Sequence, residues 1–317
     1  MNYNEFCIWV ENRLKEQYED GVRIEIQSVC KNNGVRQKVL FIIREDCNIT
    51  PTIYLSEFYT MYEDGMDPEE VLKRLLTVYE ANKAESSLDF SFFSDFSQVK
   101  DRIAYKLINR EKNEALLKEI PWIPLLDLAV VFYYILPEHF FTSGTILIRK
   151  SHCEEWDVDE KQLFSIAAEN TPKLCPPLLL DMKAMLETLE CMAGGETEDT
   201  AEKLLENLWR PVCLESLDLS ERKSGERMFV LTNEMRNLGA VAAIYDGVLK
   251  NLSEKFQSDL YILPSSIHEC IILPAEEKES KEELEALVYR VNHSQVAAEE
   301  RLSNQVYRYL REKDEII

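Results

Sequence analysis

Apolar residues at the start of the chain first recur at helical spacing and then alternate with polar ones. The stripe from Tyr3 to Tyr18 predicts a helix, which Gly21 can end. Two runs with strand alternation flank Asn32-Asn33-Gly34, whose residues tolerate the positive φ of a hairpin turn. Asp67-Pro68 is typical of a helix start, with Asp as N-cap and Pro in the first turn. Residues 1 to 85 are therefore predicted to form a small unit of helix, hairpin, strand and helix.

The pattern changes after this unit. A polar and aromatic link from Lys83 to Asp95 predicts a domain boundary, so that residues 90 to 317 would form a larger domain. Apolar residues at helical spacing then predict a helix from Phe96 to Glu119, which Pro121 would end. The continuous apolar run from Leu128 to Leu136 predicts a strand that is buried on both faces.

The rest of the chain predicts a second set of strands and helices. Residues 174 to 226 are interpreted as a helical connector with an exposed acidic loop at 194 to 199. Apolar runs or stripes follow at Met228–Leu231, Leu238–Phe256 (with a possible break at Asp246-Gly247), Leu260–Leu263, Cys270–Leu273, Glu282–Val291 and Val306–Tyr309. The predicted fold class is α+β: a small N-terminal unit followed by a larger mixed-sheet domain with flanking helices.

The charge balance narrows the range of partners. The chain has 36 Lys and Arg against 58 Asp and Glu, a net charge of −22, and no basic cluster stands out in the sequence. Because basic surfaces bind phosphates, direct binding to nucleic acid through a broad patch is disfavoured, and so is binding to an anionic membrane. A basic protein partner or an acidic mimic of nucleic acid would fit this charge. The alternative is an acidic surface that only keeps the protein soluble.

The sequence also predicts the compartment. The longest apolar run is about half of the length that a membrane span requires. The N-terminus lacks the basic and apolar regions of a signal peptide. Eight cysteines lie without regular spacing, which is typical of reduced thiols inside the cell. We therefore expect a cytoplasmic protein without disulfide bonds.

Motifs for common enzyme chemistry are missing from the sequence. It has no P-loop, no Gly-x-Gly-x-x-Gly, no Gly-x-Ser-x-Gly and no His-Glu-x-x-His, and it has only nine glycines. The close His/Cys pairs are His152-Cys153 and His268-x-Cys270, whereas a structural zinc site needs four ligands. Neither a cofactor nor a metal is predicted.

The segment from Pro264 to Glu269 contains the candidate catalytic residues. Ser265, Ser266, His268 and Glu269 bring two hydroxyls, an imidazole and a carboxylate together beside a strand end. In a hydrolase or transferase, His268 would be the base and one of the serines the nucleophile. Alternatively, the serines bond nearby backbone in a turn, and His268 is a half-buried strand residue. We expect this structural role.

Asn233 and Arg236 are the candidate ligand-binding residues. They lie where a predicted strand is followed by a predicted helix, and a helix N-terminus with a cation nearby could hold an anion. The alternative is that Thr232 or Asn233 is simply the N-cap of that helix.

Several strings in the sequence resemble one protein family. They are Asn48–Leu55 (NITPTIYL), Tyr62–Gly65 (YEDG), Met228–Asn233 (MFVLTN), Asn237–Ala240 (NLGA) and Leu263–Glu269 (LPSSIHE). These strings are similar to a Firmicutes family, domain of unknown function 5688, and the C-terminal ones also resemble a second family from bacilli. The resemblance covers nearly the whole chain and implies a Clostridia-type bacterial source and a single-family protein. It implies no activity, cofactor or catalytic residue.

Three hypotheses for the function follow. The first, which we prefer, is a binding or accessory protein that acts through contacts with another protein. The second is a hydrolase or transferase with its site near His268, and the third is an acidic mimic of nucleic acid. A polar pocket that holds His268 with Asn233 or Arg236 would favour the enzyme. The sequence leaves the partner, the strand order and the oligomeric state open.

Overall fold

The chain divides into two compact units, Met1–Phe92 and Phe93–Ile317. The computed structural model describes residues 1–18, 21–137, 144–193, 206–214, 217, 227–275 and 280–317. That the Lys83 to Asp95 link separates two independently folding domains stays a prediction. Expressing residues 1 to 85 and 90 to 317 separately would test it.

The N-terminal unit packs helices against an antiparallel sheet. Its described elements are α1 (Tyr3–Gln17), β1 (Val22–Cys30), β2 (Arg36–Arg44), β3 (Ile53–Tyr54), α2 (Leu55–Glu63) and α3 (Pro68–Asn82). The strand order is β1-β2-β3. Ile24, Leu40 and Ile42 point to one face of the sheet and share a buried core with Phe6 of α1 and Leu75 of α3. The amphipathic helices therefore cover this face.

The local signals expected in this unit are present in the structure. α1 begins with a capping box between Asn2 and Glu5, and the side chain of Asp67 caps α3. The hairpin between β1 and β2 turns at Asn33 and Gly34, which have φ values of 60° and 70°. The predicted helix, hairpin, strand and helix are thus confirmed. The structure adds α2, which follows β3 directly.

The C-terminal unit starts with a sheet around one buried strand. Its described elements in this part are α4 (Phe96–Val99), β4 (Ile103–Asn109), α5 (Glu114–Leu117), β5 (Trp122–Leu125), β6 (Leu128–Ile135), β7 (Thr145–Leu147), α6 (Lys150–Trp156) and α7 (Glu160–Leu174). β6 lies between β4 and β5 and also pairs with β7. The prediction of a strand buried on both faces at β6 is confirmed.

The predicted helix from Phe96 to Glu119 is wrong. Only short pieces near its two ends, α4 and α5, are α-helical, and β4 lies between them. The apolar residues Ile103 and Leu107 are four positions apart, which fits a helix, but Ala104, Tyr105 and Ile108 are buried as well. A segment with apolar residues on all sides, rich in Ile and Tyr, suits a central strand, and β4 pairs with β6 over seven residues.

A second sheet completes the C-terminal unit. The elements are β8 (Pro177–Asp181), α8 (Met182–Ala193), β9 (Phe229–Asn233), α9 (Val248–Phe256), β10 (Leu260–Leu263), β11 (Cys270–Pro274), α10 (Lys281–Ser294), β12 (Tyr307–Leu310) and β13 (Glu315–Ile316). Their order in the sheet is β13-β12-β10-β11-β9-β8. The α+β class is confirmed. The pairings of the described strands are all antiparallel, whereas we expected a mixed sheet.

Two segments of this part differ from the sequence prediction. The segment interpreted as a helical connector contributes the edge strand β8, whose short run of leucines lacks the alternation that marks a strand. The acidic loop expected at 194 to 199 lies outside the described residues. The stripe from Leu238 to Phe256 is a 3-10 turn at Gly239–Ile244 and then α9, and the break falls at Gly247, whose φ is 74°. In the described part of the chain, no helix is long and apolar enough to cross a membrane.

Candidate functional site

The connection between β10 and β11 holds the candidate catalytic residues and is fixed by backbone bonds. Ser265 and Ser266 are buried. The carbonyl of Ser265 accepts from the N–H of Leu302 at 3.0 Å, and the N–H of Ile267 donates to the carbonyl of Glu300 at 2.8 Å. Because these bonds satisfy the loop backbone, the loop is held against the segment that precedes β12.

His268 forms four polar contacts within this loop region. Its N–H donates to Ser266 Oγ at 2.9 Å, and its carbonyl accepts from Thr232 Oγ1 at 2.8 Å. Its ring Nδ1 accepts from the N–H of Leu238 at 3.3 Å, and Nε2 lies 3.5 Å from Glu300 Oε1. Since Nδ1 is an acceptor, the neutral ring carries its proton on Nε2, which faces a carboxylate.

The arrangement does not form a nucleophile and base pair. Both ring nitrogens of His268 have partners, and in the described structure neither serine hydroxyl donates to the ring. Burial raises the pKa of Glu269, and the nearby Glu300 adds to this, while His268 and a hydrogen bond from Ser266 oppose it. The residues are brought together, but their bonds close the loop rather than activate a hydroxyl. His268 and Glu269 also lie in the connection and not on a strand, contrary to the expected strand position.

Asn233 is the last residue of β9, and Arg236 lies in the tight turn that follows. The side chain of the buried Asn233 donates to the carbonyl of Asn237 at 2.9 Å and accepts from its N–H at 3.3 Å. Arg236 has a φ of 52°, and its guanidinium lies 4.4 Å from the ring centre of Trp209. The expected helix N-terminus is wrong, because a turn and a 3-10 segment follow β9. The geometry for an anion at a helix N-terminus is therefore missing at this position.

Gly239 locks the turn after β9 against the His268 loop. A Cβ atom at this position would lie 2.2 Å from Thr232 Oγ1 and 2.6 Å from both the N of Asn233 and the carbonyl oxygen of His268. The close approach of three backbone segments, and not an unusual φ, therefore requires glycine here. Together with the bonds of His268, this contact makes the region a packed interlock.

The space beside this interlock is small. A cavity of about 20 Å³ is lined by Pro264, Cys270, Tyr307 and apolar side chains from both sheets of the unit. That volume holds about one water molecule and no organic substrate. The described residues include no group of three or more His, Cys, Asp or Glu side chains that could hold a metal ion.

The surface around α8 exposes apolar side chains, unlike the region around His268, where polar groups bond to one another. Met182 and Met185 pack on Leu178, Leu180 and Val230. Leu186 and Leu189 continue the same helical stripe but are 53% and 47% exposed. The apolar face of α8 thus extends beyond the core that it covers.

A groove runs along the other side of α8. It has a volume of about 400 Å³ and lies between the helix and the segment Asn207–Val212, with Thr188, Cys191, Arg210 and Pro211 among its lining residues. Val212 is bonded to the carbonyl of Leu179, so that this segment covers the outer edge of β8. The α8 surface, meaning α8 with residues 207–212, therefore offers both an apolar ridge and a groove.

Lys106 is a chemically notable residue that the sequence analysis missed. It lies in the middle of β4 among buried neighbours, and burial lowers its pKa. Its Nζ is 5.8 Å from the ring centre of Tyr133, and no carboxylate pairs with it in the described structure. The segment was expected to be a helix, in which a lysine is unremarkable; the alternation of a strand would have placed it inside.

Comparison with known families agrees with the resemblance found in the sequence. The model of DUF5688, a family of unknown function, matches residues 3–311. The chain belongs to the DUF5688 family. No curated protein and no solved structure matches the chain. The Firmicutes source implied by the resemblance stays a prediction.

Proposed function

We propose that this DUF5688 protein acts by binding another protein, and that its α8 surface docks a basic amphipathic helix of that partner. The observation that carries the proposal is the exposure of Leu186 and Leu189 on a stripe whose first half, Met182 and Met185, is packed. A helix from a partner could continue this packing, as amphipathic helices do when they lie in an apolar groove.

Charge supports a basic partner. Between Asp181 and Leu219 the sequence has ten acidic and three basic residues. Glu187 and Glu190 lie on exposed positions of α8 itself. Lysines or arginines flanking the apolar face of a partner helix would meet these carboxylates, which increases the association rate and favours that partner over acidic ones.

The alternatives have less support from the geometry. A hydrolase or transferase near His268 needs a hydroxyl bonded to the imidazole, and the polar groups there bond one another. A nucleic-acid mimic needs acidic residues gathered at the spacing of phosphates, whereas along this sequence they are dispersed and interleaved with Lys and Arg. As part of the proposal, we infer a cytoplasmic location, because all eight cysteines are free thiols.

The test uses a synthetic amphipathic helix of leucine and lysine as the probe. Binding to the full chain is measured by fluorescence anisotropy of the labelled peptide. We expect the double variant Leu186→Gln/Leu189→Gln to weaken binding about tenfold or more, because it removes the apolar ridge. Glutamine keeps the helix propensity close to that of leucine.

Two controls separate docking from simple charge attraction. A scrambled peptide of the same composition, with leucines on all sides, should bind more weakly than the amphipathic one. Leu287→Gln on α10, where the leucine is 39% exposed, should leave affinity unchanged. Equal affinities for both peptides, or equal losses for the α8 and α10 variants, would refute the proposal.

A further inference from the structure

β1 is an outer strand with an open edge. It pairs with β2 in one continuous antiparallel register, from Val22 opposite Arg44 to Cys30 opposite Arg36, without a bulge. In the described part of the chain, no strand pairs with its other side. The edge is thus nine residues long and regular.

The register identifies the backbone groups on this edge. The N–H of Lys31 donates to the carbonyl of Val35 at 2.7 Å, and the N–H of Glu45 donates to the carbonyl of Gly21 at 3.1 Å. Hydrogen-bonded pairs alternate along an antiparallel ladder, so the odd-numbered residues of β1 bond to β2. The even-numbered residues direct their N–H and C=O groups outward; they are Val22, Ile24, Ile26, Ser28 and Cys30. No backbone bond to these outward groups is found among the described residues.

The usual protection of an edge strand is weak here. Natural sheets block exposed edges with proline, bulges, lysines or a covering loop. β1 contains no proline and no lysine, and its charged side chains, Arg23 and Glu25, both lie in the first half. From Ile26 to Cys30 the strand has no charge, and Ser28 and Cys30 are exposed. This half of the edge is therefore available to an added strand.

Charge beside this half favours an acidic occupant. From Ile26 to Leu40, its partner on β2, the sequence has three cations and no carboxylate, in a chain with 58 Asp and Glu. Arg36 lies opposite Cys30 and Lys38 opposite Ser28, so these four side chains share one face of the sheet. Arg36 is exposed and forms no ion pair within the described structure. Lys38 donates to Asn4 Oδ1 of α1 at 2.7 Å, so Arg36 is the cation that can reach across the small Cys30 towards an added strand.

We propose that the edge of β1 binds an extended acidic segment of another protein as a fourth strand, with a carboxylate on that segment facing Arg36. Main-chain bonds to the outward groups of Ser28 and Cys30 would hold the segment, and the Arg36 guanidinium would select for acidic side chains. The site is separate from the α8 surface and selects a partner of the opposite charge. If no acidic peptide binds at β1, the proposed function of the α8 surface is not affected.

The experiment uses a nine-residue peptide of alternating valine and glutamate, the length of β1, labelled for fluorescence anisotropy. Ser28→Pro removes an outward N–H and leaves the bonds to β2 in place, so it should weaken binding about tenfold or more. Ser28→Ala is the matched control and should bind like the original chain. Arg36→Glu changes an exposed side chain and should cause a similar loss, which keeps the test valid if the proline variant unfolds.

Three results would overturn the proposal. The first is no binding at about 1 mM peptide, the range of the weakest specific complexes. The second is equal affinity for a peptide with lysine in place of glutamate. The third is a dimer of the original chain in sedimentation that Ser28→Pro converts to a monomer, because a second copy would then occupy the edge.

Discussion

The His268 loop and the α8 surface lie in the same unit but use their side chains in opposite ways. Around His268, imidazole, hydroxyl and carboxylate groups bond to one another or to backbone, and Gly239 packs three segments together. On α8, part of an ordinary leucine and methionine stripe is about half exposed and extends past the cluster that the described residues form beneath it. The residue types that suggest chemistry thus bond within the fold, whereas part of the ordinary apolar stripe is exposed.

The difference has a simple physical origin. The connection between β10 and β11 is short and partly buried, so its polar groups must find partners inside the protein. α8 covers a small cluster at the edge of the sheet, Leu178, Leu180 and Val230, which needs about two helical turns. The following turns extend past that cluster. A search for binding sites should therefore begin with groups that the fold leaves without a packing partner.

The strongest test of the interlock is Gly239→Ala. A Cβ atom would clash with Thr232 and with backbone of Asn233 and His268, so we expect a loss of about 3 kcal/mol or more in the free energy of unfolding. Gly247→Ala is the control: its Cβ has room, and only the positive φ costs about 1–2 kcal/mol. Urea unfolding of each variant gives the two values. If Gly239→Ala lowers the free energy of unfolding no more than Gly247→Ala does, the close packing of Gly239 against Thr232, Asn233 and His268 does not stabilise the fold.

His268→Ala tests whether the imidazole is structural. It removes the acceptor of the Leu238 N–H, so we expect a loss of about 1–3 kcal/mol. His268→Asn places an amide oxygen near the position of Nδ1 and should recover part of that stability. A stable alanine variant that has lost a measurable activity would instead support the enzyme hypothesis.

Much of the fold could be predicted from the sequence, because its signals are local. The capping box at Asn2, the Asp67-Pro68 start and the Asn33-Gly34 turn each determine structure within a few residues. The continuous apolar run at β6 also predicts its buried strand directly from the sequence. The failure at β4 arose because a helix and a buried strand both bring Ile103 and Leu107 to a core, and only pairing with β6 decides between them.

The candidate site was harder to predict, because its bonds join distant parts of the chain. The sequence places Ser265, Ser266 and His268 together, but the partners of the His268 ring, Leu238 and Glu300, come from other segments. The exposure of Leu186 and Leu189 could not be predicted from the sequence either. Helical spacing shows that these residues share one face of α8, but it does not show which segment, if any, packs on that face.

Lys106 gives a third case, a half-buried polar group without a carboxylate partner among the described residues. Burial lowers its pKa in the folded protein, so the unfolded chain binds its proton more tightly. Stability should therefore rise with pH from the folded-state pKa up to the ordinary lysine value and be lowest below both. We expect Lys106→Met to raise the free energy of unfolding at neutral pH by about 1–2 kcal/mol and to remove this pH dependence. Urea unfolding across the alkaline range measures both.

The smallest effect on stability should come from the residues we assign to binding. Leu186→Gln and Leu189→Gln change exposed side chains on a helix and keep its propensity, so each should alter the free energy of unfolding by about 0.5 kcal/mol or less. Met185→Gln, on the packed half of the same stripe, should cost at least about 1 kcal/mol because it removes contacts with the cluster at β8. The three variants share one helix and one replacement residue, so the comparison isolates packing. The leucine variants could instead lower the free energy of unfolding as much as Met185→Gln does. Leu186 and Leu189 would then contribute to packing within the fold, and the proposal that α8 is a docking surface would be wrong.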